Sequence, residues 1–210
     1  MAQPTPTYPL TFSVDYKERL DRLTTFFRIF TVIPIAIILG LVSGGTFSYT
    51  TATGGTAQYS AGGIVFAALV LMIVFRQKYP RWWFDWNYNL TAFATRVLAY
   101  LALLRDEYPS TDEKQAVHLD FPYPDVPREL NRWLPLVKWL LAIPHYIVLF
   151  FLQIAAVIAV IIAWFAILIT GSYPRGLFDF LVGVFRWTLR VLAYAFLLVT
   201  DRYPPFSLSE

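Results

Sequence analysis

The longest apolar stretch of the chain covers residues 139–170 and contains no charged side chain. As a single α-helix these 32 residues would be about 48 Å long, which exceeds the roughly 30 Å hydrocarbon core of a bilayer. Shorter apolar stretches cover residues 26–43 and 61–77. The pattern predicts helices of membrane-spanning length, and the long stretch has room for two of them.

A repeated motif indicates where the long stretch divides. Tyr-Pro-Arg-x-x-Phe-Asp, followed by Arg-Val-Leu-Ala-Tyr, occupies residues 79–100 and recurs at residues 173–194. Upstream, Ile33-Pro34 recurs as Ile143-Pro144, so the two motifs lie farther apart in the first copy than in the second. The extra residues fall in the polar segment 43–60, whose counterpart at 153–154 is then a tight turn. We therefore predict two tandem copies, each containing a pair of helices.

The predicted fold is an α-helical integral membrane protein with four transmembrane helices. The first copy covers residues 8–109 and the second 117–204, and each has a short strand, a transmembrane hairpin and an amphipathic interfacial helix. The predicted spans are 26–43, 61–77, 137–153 and 155–171, and the interfacial helices are 83–104 and 177–199. Re-entrant hairpins would fit the same lengths. The polar tip at 43–60 favours crossing, because lipid-exposed loops are not tolerated in hydrocarbon.

Two short segments alternate apolar and polar residues, which is typical of half-buried strands. They are residues 10–16 and 117–123, and we expect them to pair as a small cytoplasmic two-stranded β element. Pro122 and Pro124 restrict the second segment to an edge position or a short strand.

Composition supports the membrane class, because 57% of the residues are hydrophobic and only 15% are charged. The chain has no cysteine, which excludes disulfides and thiolate metal sites. Its net charge of +3 comes from basic residues that flank the apolar segments, so nucleic acid is not a predicted partner. By the positive-inside rule, both termini and the linker 105–132 are cytoplasmic. A third crossing in each copy would move the second copy's basic residues outside, so the charges disfavour it.

Matched charges on the two interfacial helices predict contacts between the copies. Asp85 and Arg96 are 11 residues apart, about 16 Å along a helix, so they cannot pair with each other. Asp179 and Arg190 have the same spacing. If a pseudo-twofold axis relates the copies, the helices run antiparallel and Asp85 pairs with Arg190, and Asp179 with Arg96. Alternatively, these groups face headgroups or water.

Four basic residues at the starts of the predicted spans are candidates for contacts with anionic lipid headgroups. They are Arg22, Arg28, Arg132 and Lys138. Simple topological anchoring is the alternative for all four.

Three further residues stand out within apolar helices. Pro34 and Pro144 predict kinks, which serve either as hinges or only for packing. His145 suggests haem or metal ligation, but no cluster of ligands accompanies it, and a hydrogen bond to a neighbouring helix or a position near the membrane interface is the simpler interpretation. We predict no catalytic, cofactor-binding or metal-binding residues.

The chain resembles an uncharacterised bacterial membrane family, domain of unknown function 4389, in two tandem copies. The resemblance rests on residues 22–34 (RLTTFFRIFTVIP), on Ile-Pro-His at 143–145 and on both Tyr-Pro-Arg blocks, and it covers about 8–204. The first copy departs from it, with Ile35 where the second has His145. The resemblance implies a multi-pass protein of the bacterial cytoplasmic (inner) membrane and implies no activity.

The sequence predicts a non-catalytic membrane protein, an accessory or scaffold subunit of a membrane assembly. Its partners would be lipids, other membrane subunits or further copies of itself. The alternative is a protein that binds or transports lipids or small molecules at the interface of the repeats. Its cavity would be lined by Arg22, Arg132, Pro34, Pro144 and His145. A channel is disfavoured because few polar residues line the spans, and no phosphate loop, metal motif or nucleophile arrangement indicates an enzyme.

Overall fold

The computed structural model describes residues 8–43, 46–50, 56–111, 113 and 115–209, without the side chains of residues 46–50 and 56–65. In chain order the elements are β1 Thr11–Val14, α1 Arg22–Val42, β2 Thr46–Thr50, β3 Thr56–Ser60, α2 Ala61–Arg76, α3 Arg81–Leu101, β4 Val117–Asp120, α4 Val126–Glu129, a 3-10 turn Leu134–Leu136, α5 Lys138–Leu141, α6 Ile143–Thr170 and α7 Arg175–Ala195. The fold is therefore mostly helical, with two small sheets in the described part of the chain.

The first helix pair forms as α1 and α2. The Asp21 carboxylate caps α1 by accepting a hydrogen bond from the Leu23 N–H at 2.8 Å. Pro34 lies inside α1, which continues to Val42. The polar segment that follows contains the antiparallel hairpin β2–β3, with Thr46 opposite Ser60 and Thr50 opposite Thr56.

The second helix pair does not form, which corrects the prediction of separate spans at 137–153 and 155–171. Residues 143–170 are one continuous helix, α6, of 28 residues. Between His145 and Thr170 there is no glycine or proline, so nothing in the local sequence interrupts the helix. It ends at Gly171, whose backbone is left-handed (φ +76°) and whose N–H donates to the Ile167 carbonyl. The prediction of four transmembrane helices required a turn at residues 153–154. Because that turn does not form, the prediction is not supported.

Pro144 lies at a helix boundary and not in a helix interior. It occupies the first turn of α6, where the absence of its N–H costs no helical hydrogen bond. The short helix α5 ends at Leu141, and α6 begins at Ile143. The predicted interior kink is therefore a break between two helices.

The predicted two-stranded sheet is confirmed. β1 and β4 are antiparallel, with Thr11 opposite Asp120 and Val14 opposite Val117. Phe12 and Val14 point into the core, whereas Ser13 is exposed on the opposite face. The buried face packs on α3 and α7, and the outer face is polar.

α7 lies in the interior, which corrects its prediction as an interfacial helix. β1 covers one side of it, and Phe12 contacts Phe185 edge to face at 6.2 Å. The C-terminal tail, residues 196–209, crosses it at Gly183, where a Cβ would lie 2.8 Å from the Leu208 Cβ. Arg186 of α7 donates to the carbonyls of Phe12 and Leu208, so this polar side chain binds backbone groups of the protein.

The exposed apolar side chains concentrate on α1, α5 and α6, away from the β1–β4 sheet. Of the described helices, α1 and α6 are long and apolar enough to cross a membrane, which suggests membrane association.

Residues 21–35 and 131–145 have the same order of buried, half-buried and exposed positions. Backbone conformation also recurs, because Gln77 and Gly171, which precede the two Tyr-Pro-Arg blocks by the same spacing, both have a positive φ. Matched sequence positions therefore occupy matched environments in these segments.

Candidate functional site

Arg28 is a buried cation near the start of α1, only 1% exposed. Its Nη2 donates to Asp106 Oδ1 at 2.7 Å, and its Nη1 donates to the Tyr100 carbonyl at 3.1 Å. The guanidinium also lies 4.5 Å from the centre of the Tyr100 ring. Asp106 Oδ2 accepts from the Asp21 N–H at 3.1 Å, so one carboxylate joins the buried cation to the start of α1.

Lys138, the matched residue of the second half, has the same arrangement. Its Nζ lies 2.7 Å from Asp201 Oδ1, donates to the Thr200 carbonyl at 2.7 Å and lies 5.2 Å from the centre of the Tyr194 ring. Asp201 Oδ2 accepts from the Asn131 N–H. Burial lowers the pKa of Lys138, and Asp201 opposes that shift.

These contacts correct the predicted lipid contacts of Arg28 and Lys138. Both side chains are enclosed, and each is neutralised by an aspartate that the sequence analysis did not single out. The signal was present in the sequence, because Asp106 and Asp201 follow the repeated Arg-Val-Leu-Ala-Tyr motif by six and seven residues. A leucine with left-handed backbone, Leu103 or Leu198, precedes each by three residues.

Arg22 and Arg132 bind helix ends. Arg22 Nη2 donates to the Ile169 carbonyl at 3.0 Å, in the last turn of α6. Arg132 donates to the carbonyls of Val74 and Phe75, in the last turns of α2. Each arginine thus satisfies carbonyls that the helix leaves unbonded, and each helix end belongs to the other half of the chain.

The predicted ion pairs between the interfacial helices do not occur among the described residues. Asp85 instead pairs with Arg81 on its own helix, at 3.3 Å. Arg96 donates to the Ser110 carbonyl at 2.9 Å, and Arg190 to the Ser209 carbonyl at 2.9 Å. Asp179 is exposed. Backbone carbonyls in the segments that follow each helix accept from these arginines in place of the predicted aspartates.

His145 is fully buried at the start of α6. Its Nδ1 accepts a hydrogen bond from Trp187 Nε1 at 3.0 Å, and its ring stacks on Phe206 with centroids 4.0 Å apart. The matched residues in the first half are Ile35 and Phe93, which belong to one apolar cluster. A hydrogen-bonded pair thus replaces an apolar pair. Among the described residues no three His, Cys, Asp or Glu side chains lie close enough to hold a metal.

A cleft of about 610 Å³ lies where the two halves meet. Residues of α1, α3, α6 and α7 line it, and nearly all its walls are apolar. Exposed side chains such as Ile29, Val157 and Phe165 are at its mouth, and Thr25 and Arg28 are buried. None of the five residues predicted to line an inter-repeat cavity contributes to it.

Two polar atoms of the cleft lining are buried without a hydrogen-bond partner in the described part of the chain, Thr25 Oγ1 and Arg28 Nε. Buried polar groups are usually paired, and an unpaired group carries a desolvation cost of about 1–3 kcal/mol. Neither atom is exposed, so both lie behind the apolar surface of the cleft.

The two halves differ where the cleft forms. Ala102, in the lining, corresponds to Phe196, whose ring contacts Phe66 and Tyr146 at centroid distances of 6.0 and 6.3 Å. Thr25 corresponds to Pro135, which has no hydroxyl. The first half therefore has a small side chain where the second half has a large ring. It also has a hydroxyl group where the second half has a proline. Sequence comparison of the copies shows this difference but not that it borders a cleft.

Residues 133–207, a little over a third of the chain, match the model of a family described as a domain of unknown function (DUF4389). No curated protein and no solved structure matches the chain.

Proposed function

We propose that this protein is a non-catalytic membrane protein that binds a lipid or another apolar small molecule in the cleft between its two halves. The observation that carries the proposal is the cleft itself, whose walls are nearly all apolar. Its volume of about 610 Å³ is within the range of about 300–1,000 Å³ that is typical of ligand sites.

The electrostatics of the cleft favour a ligand with a neutral polar end. Asp106 already neutralises Arg28 at 2.7 Å, so an anionic headgroup at this depth would be a buried charge without a counter-ion. A carbonyl or hydroxyl oxygen accepts hydrogen bonds without that cost.

The proposal includes a tandem duplication with a pseudo-twofold axis between the copies. Its support is the recurrence of contacts between halves. Tyr16 Oη donates to the Tyr173 carbonyl, and Tyr123 Oη donates to the Tyr79 carbonyl. The register of the β1–β4 sheet has the same symmetry. Phe12 and Leu119 are matched positions of the two halves, and they face each other across the strands, as a twofold axis requires. An interface between copies is a common place for a ligand site in duplicated membrane proteins.

We further propose that the protein resides in a bacterial cytoplasmic membrane with both termini on the cytoplasmic side. Both ends of the described chain pack on α7, because Arg186 donates to the carbonyls of Phe12 and Leu208. The two ends therefore lie on the same side of any membrane that holds α1 and α6. Basic residues near these ends favour the cytoplasmic side.

Native mass spectrometry after extraction in a mild detergent tests the ligand proposal. We expect wild-type protein to carry a bound small molecule, and Ala102→Phe to lose it because the ring fills the cleft as Phe196 does in the second half. Val157→Trp narrows the exposed mouth and should also reduce occupancy, without altering the core. Phe196→Ala, at the matched position outside the cleft lining, is the control and should retain the ligand.

Two results would contradict binding in the cleft. One is wild-type protein without bound small molecules, and the other is equal occupancy in all variants. A co-purified protein subunit in place of a small molecule would favour the accessory or scaffold role instead.

A further inference from the structure

Both ends of α6 are joined to the same two-stranded sheet. The chain enters α6 from the segment that follows β4, in which Phe121 is buried in the core and Tyr123 Oη donates to the Tyr79 carbonyl. It leaves α6 at residues 171–174, where the Tyr173 carbonyl accepts from Tyr16 Oη at 2.7 Å, two residues past the end of β1. Since β1 and β4 are hydrogen-bonded to each other, residues 121–123 and 171–174 are both fixed to one small unit, and residues 124–142 connect the first of them to α6.

That unit must lie in water along its whole length. The outer face of the sheet carries exposed Ser13, Asp15, His118 and Asp120, from one end of the ribbon to the other. The sheet has only two strands, and the carbonyls of Phe12 and Leu119 accept from Arg186 Nε and Tyr88 Oη. Charged side chains such as Asp15 and Asp120 are costly in contact with lipid hydrocarbon, so this face lies in water.

A single crossing of α6 is incompatible with this arrangement. A helix that crosses once has its two ends on opposite sides of the membrane. The chain would have to cross a second time, either in residues 121–142 or in α7. The first segment carries exposed Asp125, Arg128, Glu129 and Arg132. In α7, Phe185 contacts Phe12 and Arg186 Nε donates to the Phe12 carbonyl at 3.1 Å. The middle of α7 is therefore also fixed to the water-exposed sheet.

We propose that α6 lies within one leaflet of the bilayer, parallel to the membrane surface, and does not cross it. The proposal extends to the start of α1, which runs antiparallel to the end of α6. Arg22 contacts Ile169, and the Thr25 carbonyl accepts from Trp164 Nε1 at 3.3 Å. It depends on membrane association but not on the ligand in the cleft.

The dimensions fit one leaflet. A helix with side chains is about 10–12 Å wide, and one leaflet contributes about 15 Å of the roughly 30 Å hydrocarbon core. The 28 residues of α6 are about 42 Å long, which exceeds the core thickness if the helix stands upright. Lying flat, α6 leaves no hydrophobic mismatch.

The surface chemistry fits the acyl chains of one leaflet under a layer of headgroups. α6 is apolar and exposed at Ile147, Phe150, Phe151, Ile154, Val157, Ile158, Ile161, Ile162, Phe165 and Ile169. Exposed basic residues flank α1 and α6 at Lys17, Arg19, Arg22, Arg128, Arg132 and Arg175. In a flat orientation all of these charges reach the headgroups of the same leaflet, where anionic lipids attract them.

The absence of cysteine allows a depth measurement with single-cysteine variants of the full chain. Ile147→Cys, Ile154→Cys and Ile161→Cys are spaced by seven residues, so they share one face of α6. Each is labelled with an environment-sensitive fluorophore in vesicles of phosphatidylcholine and phosphatidylglycerol, and quenched by lipids brominated at defined acyl positions. Ser13→Cys on the outer sheet is the control and should not be quenched.

We expect the three α6 probes to report equal depths within one leaflet. In a crossing helix they would differ by about 10 Å for each step of seven residues, and a gradient of that size through the bilayer centre would overturn the proposal. Three unquenched α6 probes would overturn membrane association as well.

A second measurement does not depend on depth calibration. Glu129→Cys and Gly176→Cys lie in exposed segments before and after α6, and a side chain at position 176 meets no atom within 4 Å. In sealed vesicles of uniform orientation, a membrane-impermeant maleimide should label both positions from the same side. Labelling from opposite sides would show that α6 crosses.

Discussion

At the residue scale, each buried cation depends on one aspartate. Asp201→Asn leaves the Lys138 ammonium 0% exposed without a counter-ion, and breaking a buried pair in this way typically costs about 3–5 kcal/mol. We expect thermal unfolding in detergent to show a loss of that size. Asp106→Asn should act similarly on Arg28.

Lys138→Met combined with Asp201→Asn should recover most of that stability, because the double variant has no buried charge. Asp125→Asn is the matched control, since Asp125 is exposed and pairs with Arg128 only at 3.6 Å. A change in Asp201→Asn below about 0.5 kcal/mol, the usual scatter of surface variants, would show that the pair does not hold the fold.

The second half has His145 and Trp187 where the first half has the apolar pair Ile35 and Phe93. We expect the stability effects of mutating His145 and Trp187 to be strongly coupled. Trp187→Phe removes the donor to His145 Nδ1 and leaves a buried imidazole without its partner, and we expect a loss of about 1–3 kcal/mol. His145→Ile leaves the buried indole N–H without its acceptor.

The double variant His145→Ile, Trp187→Phe carries the apolar pair of the first half and should be more stable than either single variant. A double-mutant cycle of unfolding free energies measures this, and contacting residues of this kind couple by about 0.5–3 kcal/mol. If the stability losses of the two single variants add up to that of the double variant, the hydrogen bond between His145 and Trp187 contributes no coupling energy.

At the element scale, two arginines stabilise helix ends in the opposite half of the chain. Arg22→Ala removes a donor from the Ile169 carbonyl, so we expect faster amide exchange in the last turn of α6. Arg132→Ala should accelerate exchange in the last turn of α2. Hydrogen exchange followed by mass spectrometry resolves the two regions, and each variant is the control for the other. Equal acceleration at both ends, or at neither, would contradict local capping.

The β1–β4 sheet could be predicted from sequence, because the alternation of apolar and polar residues directly reflects which face is buried. The division of residues 139–170 could not be predicted correctly. The repeat places a turn near Gln153, since the first copy has a polar segment there, but the local residues are all helix-compatible. Local helix preference prevailed over the similarity between the two halves of the sequence, and α6 is continuous.

The candidate site was predictable only in part. Arg28 and Lys138 were recognised as candidate residues, but their aspartates are distant in sequence, and such pairing depends on tertiary packing. The charges of α3 and α7 suggested ion pairs by complementarity alone. In the structure, backbone carbonyls at Ser110 and Ser209 accept from Arg96 and Arg190, and no pattern of side chains reveals a backbone acceptor.

At the scale of the whole molecule, two buried tyrosines join the halves reciprocally. Tyr79 Oη donates to the Leu197 carbonyl at 2.8 Å, and Tyr173 Oη donates to the Ala102 carbonyl at 3.3 Å. Burial raises the pKa of both phenols, because a phenolate at either position would be desolvated and would face the carbonyl oxygen that the phenol now donates to. The association of the halves is therefore linked to keeping these two protons.

Alkaline pH should weaken this joint. The folded-state pKa of each tyrosine is above its unfolded value of about 10. Its contribution to the free energy of unfolding is therefore complete below pH 10 and is lost as pH rises toward the folded-state pKa, by about 1.4 kcal/mol per pH unit.

Tyr79→Phe combined with Tyr173→Phe should lower stability at pH 8 by about 1–3 kcal/mol for two lost hydrogen bonds. Above pH 10 its unfolding free energy should fall less steeply than that of the wild type, so the two curves converge. Chemical unfolding followed from pH 8 to 11.5 measures both effects, with Tyr108→Phe as the exposed control, and parallel curves would show that the two phenols do not set the alkaline limit.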